Sequence, residues 1–206
     1  MTTGTVLRRL RGYSSTATMA AVEPVAEGPY FLAEIGIRVA RVLVLLAVWR
    51  SVLPGRAAAG GLTLGAVLTY TLASEVFAEQ LNVRTTLVGH LWNGTIVTRF
   101  LWPAGLVGQF VAETAGRWAW GFCCCSVPLL LAAPLLGVDP RPAGPAALLL
   151  FAPSMALAVS VGLALDFAFA VLIVRLGSSV WIVERLRAAV TTLLSGALLP
   201  LALLPW

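Results

Sequence analysis

Three carboxylates stand where a carboxylate is costly. Glu75 and Glu79 lie four residues apart near the end of an apolar run, and Asp166 interrupts another. Four residues along a helix return to one face, so Glu75 and Glu79 point the same way. An ionised side chain in the middle of a bilayer demands a partner or a function. Two kinds of chemistry suit these residues: a proton or substrate path, or ion pairing with a cation from another segment. Arg38 and Arg41 sit in the first turns of a neighbouring apolar segment. Pairing at the level of the lipid headgroups, with the arginine stems laid along apolar surface, is the expectation.

Other chemistry finds little support. His90 is the single histidine, and no Glu-x-x-His, His-Glu-x-x-His or Gly-rich phosphate loop occurs. Ser/His/Asp catalysis would need that histidine, and nothing around it looks like a nucleophile site. Cys123, Cys124 and Cys125 are consecutive. On a helix they diverge by about 100° per residue, so they read as small apolar side chains and not as a metal cage. No catalytic residue, metal or cofactor is expected on this chain.

The elements that must carry these residues follow from composition. The 206-residue chain is 59% apolar and only 11% charged, against about 25% charged in an ordinary soluble domain. A soluble fold of this size would lack the charge to cover its surface. The net charge is +5, and all 14 basic residues are arginine, as a GC-rich coding sequence would give. Beyond the first dozen residues the arginines are scattered singly, which fits membrane topology and not nucleic acid.

A span needs about 20 apolar residues. Five segments qualify, at about 31–53, 62–81, 118–136, 146–174 and 188–204. The expected fold is an all-α, polytopic membrane bundle of five spans, with residues 1–29 as an interfacial segment and 30–206 as the membrane domain. Turn-rich "PGRAAAGG" (54–61) and "GVDPRPAGP" (137–145) make tight connections on one side. The stretches 82–117 and 175–187 connect on the other. That second side would hold nine arginines (8, 9, 11, 84, 99, 117, 175, 185 and 187), against two or three (56, 141 and the rim residue 50) on the first. The positive-inside rule then puts the N-terminus and both longer connections in the cytoplasm of a multi-pass cell-membrane protein. The Arg-, Ser- and Thr-rich start also resembles an organellar transit peptide, though an amphipathic segment on the membrane surface suits it equally.

The connection 82–117 contains "GHLWNGTIVTRFLWPAGLVGQ" (89–109). Asn93-Gly94 breaks one helix, Thr95 is placed to cap a second, and Pro103 ends it. A further helical stretch, Val107 to Arg117, leads into the third span. The Asn93-Gly94-Thr95 glycosylation sequon has no meaning on the cytoplasmic side. A short helix held at the membrane face with exposed aromatics suits the docking of a soluble partner.

Taken together, the chain resembles permease subunits of ABC exporters of the type-2 export class, in the uncharacterised or drug-type branch. Three regions carry the likeness: an N-terminal interfacial segment before a first span ending "AVWRSVL"; the loop "LWNGTIVTRFLWPAGL", with Gly94, Ile96, Val97, Arg99 and Pro103; and "LLSGALLPLALLPW", with Ser195, Gly196, Pro200, Pro205 and Trp206. The resemblance implies that the 82–117 loop is a coupling helix seated on a separate ATPase, with Gly94, Thr95, Ile96, Arg99, Phe100 and Pro103 as its coupling residues. It implies ATP and Mg on that partner, a second permease chain, identical or different, and lipid around both. The family continues past the second proline to a sixth span, whereas this sequence stops at Trp206, so a truncated product is expected. The alternatives are a non-transporting membrane scaffold and a membrane-embedded enzyme built around Asp166.

Overall fold

A computed structural model of the chain describes residues 3–26, 28–53, 63–102, 104–142, 144–177 and 180–194. All regular structure among them is helical. Helix α1 spans Thr3–Ala26 and α2 spans Pro29–Val52, with proline at the start of α2, where its missing N–H costs nothing. Helix α3 (Leu64–Val76) is followed at once by the short α4 (Ala78–Leu81). Two small helices come next, α5 (Leu87–Trp92) and α6 (Ile96–Phe100). Helix α7 (Leu106–Gly121), a π turn at Phe122–Ser126 and α8 (Val127–Ala132) form one helix of 27 residues. Helix α9 (Pro145–Leu176) has 32 residues and closes on Gly177 in the left-handed conformation, and α10 (Val180–Leu194) follows.

Two of these helices, Leu106–Ala132 and Pro145–Leu176, are long and apolar enough to cross a membrane. At about 1.5 Å per residue they reach about 40 and 48 Å, more than the roughly 30 Å of a hydrocarbon core. The third expected span therefore begins twelve residues early, at Leu106. Helix α2 covers the first expected span, but Glu34, Arg38 and Arg41 fall within its first thirteen residues. The second expected span is not one helix. It breaks at Phe77, whose backbone leaves the helical region, and α3 alone has 13 residues. The expected connection at 175–187 shrinks, because α10 already starts at Val180. The fifth span is described only as far as Leu194, and Ser195, Gly196, Pro200 and Pro205 lie outside the described residues.

Two apolar cores hold the helices. One joins Val42 and Leu46 of α2, Leu68, Leu72 and Val76 of α3, and Leu129 and Ala133 at the end of α8. The other lies under the small helices, where Leu87, Phe110 and Ala170 are buried, with Val88, Leu91, Ile96 and Phe167 packed around them. Helices α1 and α2 run in succession along the long helix. Tyr13 meets Gly105 and Gly108, Ala17 meets Gly116, the Phe31 ring lies 6.1 Å from that of Trp120, and Arg50 reaches the carbonyl of Leu136. Gly116 makes the closest approach: a Cβ there would stand 2.0 Å from the Ala17 carbonyl oxygen. Gly108, Ala112 and Gly116 repeat every four residues, the spacing that lets two helix backbones meet.

Candidate functional site

The loop between α4 and α7 is built around Glu113, a buried carboxylate on α7. Its Oε2 accepts a hydrogen bond from Arg99 Nη2 at 2.8 Å, and its Oε1 accepts one from the Thr86 hydroxyl at 2.8 Å. Arg117, one turn on, adds an ion pair at 3.5 Å. One carboxylate therefore ties the start of α5 and the end of α6 to α7. Gln109, also on α7, donates to the carbonyls of Arg99 (3.1 Å) and Ala104 (2.8 Å), which fixes the exit from α6. The Arg99 guanidinium also lies over the Phe110 ring, 5.4 Å from its centre, where a cation is attracted by the ring face.

His90 completes this network. Arg99 Nη2 lies 2.8 Å from His90 Nε2, and His90 Nδ1 lies 2.7 Å from the Thr95 hydroxyl. A guanidinium can only donate, so Nε2 must accept, and the ring is neutral with its proton on Nδ1. Burial lowers the His90 pKa from 6.5, as does the positive charge of Arg99, while Glu113 opposes them. Thr95 is thus occupied: it stands at the N-terminus of α6 but makes no capping hydrogen bond, contrary to expectation, because its hydroxyl faces His90. Gly94 supplies the turn between α5 and α6 with φ +69°, a conformation that other residues enter at a cost.

The outcome is a small helical hairpin with two faces. Ile96 packs inward on the second core. Trp92, Val97, Phe100, Leu101 and Trp102 are exposed, Leu101 at 81%. Arg99 turns inward with 16% of its side chain exposed. The coupling residues expected from sequence thus divide: Gly94, Thr95, Ile96 and Arg99 shape and brace the hairpin, and Phe100 stands on its outer surface. Pro103 lies outside the described residues.

The apolar-segment carboxylates are all paired. Asp166 of α9 and Arg187 of α10 are buried together and form an ion pair. The same carboxylate accepts from the hydroxyl and the backbone N–H of Thr85, the latter at 3.1 Å, and Arg187 donates onward to the Val83 carbonyl at 3.1 Å. The chain segment after α4 is therefore clamped between α9 and α10. Gly162 makes room for it, since a Cβ there would stand 2.6 Å from Val83. Glu75 pairs with Arg41 at 3.0 Å, and Glu79 pairs with Arg38. Arg38 also reaches the carbonyls of Glu75 (3.0 Å) and Val76 (3.3 Å), which the break at Phe77 sets free. Ser126, in the π turn, donates to the Val76 carbonyl at 2.7 Å. Two helix irregularities thus face each other, and one satisfies the backbone that the other exposes.

Beside Arg38 a cavity of ≈ 560 Å³ opens between α2, α4 and α7. Cys124 and Cys125 reach its wall and Cys123 is exposed. Among the described residues, no group of three or more His, Cys, Asp or Glu is placed to hold a metal ion.

Sequence reasoning named the acids but not the partner of Asp166. The signal in the sequence is only the four-residue step from Val183 to Arg187, which puts the arginine on the face of an apolar residue; the structure shows that face to be buried. Thr85, Thr86 and Gln109 carried no signal, because polar residues of these types in a connecting stretch are ordinary.

No family model, curated protein or solved structure matches the chain. Fold and site together define a class: a protein whose described residues form helices and no strands, two of the helices being long and apolar enough to cross a membrane. Buried arginine–carboxylate pairs join its segments.

Proposed function

We propose that this chain is the multi-pass membrane subunit of an ATP-driven exporter of the ABC type, and that a separate ATPase grips it through the α5–α6 hairpin. The observation that carries the reading is the hairpin itself, rigid beneath and apolar above. Glu113, Gln109 and Phe110 lock it to α7, while Phe100, Leu101 and Trp102 stand exposed. A soluble motor can move membrane helices only through a contact that does not yield. Here the contact is anchored to α7 and, through Leu87 and Ala170, to α9. Among the described residues, these are the two helices both long and apolar enough to cross a membrane.

In this reading α2, the α3–α4 pair and the segment that α10 begins complete the spans, and the N-terminus and the hairpin face the cytoplasm. ATP and Mg are bound by the partner, and a second permease chain, identical or different, closes the substrate path. The arginine on the loop is a brace and the aromatics are the docking surface. The test is copurification of the full chain from its native membrane, asking whether an ATPase comes down with it. Phe100→Asp with Trp102→Asp should abolish capture and ATP-dependent export while leaving chain abundance in the membrane unchanged. Capture and export at the original level in that variant would refute the assignment.

A further inference from the structure

The cavity between α2, α4 and α7 touches the hairpin network only through Arg117 and the Asp166 clamp only through Arg84 and its neighbour Glu184. Its volume, ≈ 560 Å³, falls in the roughly 300–1,000 Å³ range of small-molecule sites. Four arginines and three glutamates line it, so its charge is 4 − 3 = +1. Their commitments differ. Arg38 is spent on Glu79, on two carbonyls and on Ser126. Arg117 turns to Glu113. Arg41 gives one nitrogen to Glu75 at 3.0 Å and keeps 58% of its side chain exposed. Arg84 meets Glu184 only at 3.9 Å and keeps 55% exposed. A guanidinium has five N–H donors in a planar fork that matches a phosphate, so most donors of these two remain open. Among the carboxylates, Glu75 and Glu79 already hold arginines, whereas Glu34 is exposed at the rim and has no ion pair among the described residues.

The remaining wall mixes small and aliphatic side chains with the aromatics Phe31, Trp118 and Trp120, the residue types that favour the membrane–water boundary. From the cavity an exposed apolar strip runs along α2 through Ile37, Val44 and Val48. These residues recur at spacings of seven and four and so share one face. A ligand that fits would carry a phosphodiester for Arg41 and Arg84, an ammonium for Glu34 and an apolar tail for the strip.

We propose that this cavity binds a zwitterionic phosphodiester headgroup of the phosphoethanolamine class. The inference rests on the membrane placement proposed above and is independent of the ATPase. The full chain, purified in detergent, is titrated with phosphatidylethanolamine and phosphatidylglycerol and read by native mass spectrometry. Phosphatidylethanolamine should be retained in preference. Arg84→Gln should weaken it about tenfold, the loss expected for one charged hydrogen bond. Arg41→Gln alone would strand the buried Glu75, so the paired variant Arg41→Gln/Glu75→Gln is used, with the same expected loss. Glu34→Gln should make the two lipids equal.

Water-soluble glycerophosphoethanolamine identifies the source. Displacement of the lipid by it assigns a free phosphodiester, and retention of the lipid in its excess assigns a membrane lipid. Unchanged lipid retention in variants that melt as the original chain does, or equal binding of both lipids by the original chain, overturns the proposal. A chain recovered from the aqueous fraction without detergent would instead overturn the membrane placement.

Discussion

Glu113→Gln is the most informative single change. The substitution keeps the size of the side chain and removes its charge. It weakens the bond to Arg99 at 2.8 Å and the ion pair with Arg117 at 3.5 Å, and leaves Thr86 a neutral acceptor. Removing one partner of a buried ion pair costs about 3–5 kcal/mol when the other charge stays buried. Here Arg99 and Arg117 keep 16% and 31% of their side chains exposed, so both can turn partly toward water. The lower end, about 3 kcal/mol, is the reasonable figure. That shifts the docked–undocked equilibrium of the hairpin about 150-fold, at roughly 1.4 kcal/mol per factor of ten. The loss is local. The core of Val42, Leu72 and Leu129 shares no residue with the network. Amide hydrogen exchange of the full chain in detergent reads this directly. Protection should fall about a hundredfold over 87–102 and stay unchanged over α2 and α3. Unchanged exchange in the hairpin, or equal loss in both regions, would refute Glu113 as a local anchor. Glu113→Asp, which keeps the charge but shortens the reach, should fall between the two.

Further tests address the other contacts. His90 is held neutral, with its pKa lowered from 6.5 by burial and by Arg99. Below about 6.5 the undocked loop binds a proton that the docked loop refuses, so docking stability is complete above that pH and falls as pH drops through it. Hairpin protection, taken relative to the intrinsic exchange rate at each pH, should therefore fall as pH is lowered from about 7.5 to 5.5, and His90→Gln should flatten the dependence. Arg187→Ala strands Asp166, which is 2% exposed. It should destabilise the chain by about 3–5 kcal/mol, and Asp166→Asn combined with Arg187→Gln should recover most of that in thermal unfolding. Gly116→Leu places side-chain atoms where the Ala17 backbone lies. It should free α1 to proteolysis while the α2–α3–α8 core keeps its protection.

What could be read beforehand and what could not divide on physical grounds. Helix is the response of a long apolar run to the lack of other partners for its backbone, so the all-helical class and the extent of α9 were legible from composition and length. The break at Phe77 was not. Nothing in "LASEVFAEQL" forbids a continuous helix, and the interruption exists because Arg38 and Ser126, 39 and 49 residues away in sequence, take up the carbonyls it releases. The π turn at Phe122–Ser126 was hidden for the same reason. In the hairpin, "NG" announced the turn at Gly94, but an arginine beside aromatics reads as a docking residue until its partner is known. Glu113, fourteen residues on, turns Arg99 inward and leaves the aromatics to face out.

The acids follow one rule that connects these cases. Glu75, Glu79, Glu113 and Asp166 each hold an arginine from a different helix or turn of the chain. Such pairs are weak evidence for stability, because desolvating both charges offsets most of their attraction. Their effect is to specify which segments meet. In lipid, apolar helices gain little from choosing one apolar neighbour over another. A mispaired arginine or carboxylate, by contrast, would leave a bare charge in a medium of low dielectric constant. Replacing either Asp166 or Arg187 alone should therefore loosen the α9–α10 contact, while exchanging their charges should not restore it, because Thr85 presents its donors to position 166 and the Val83 carbonyl presents only an acceptor to position 187.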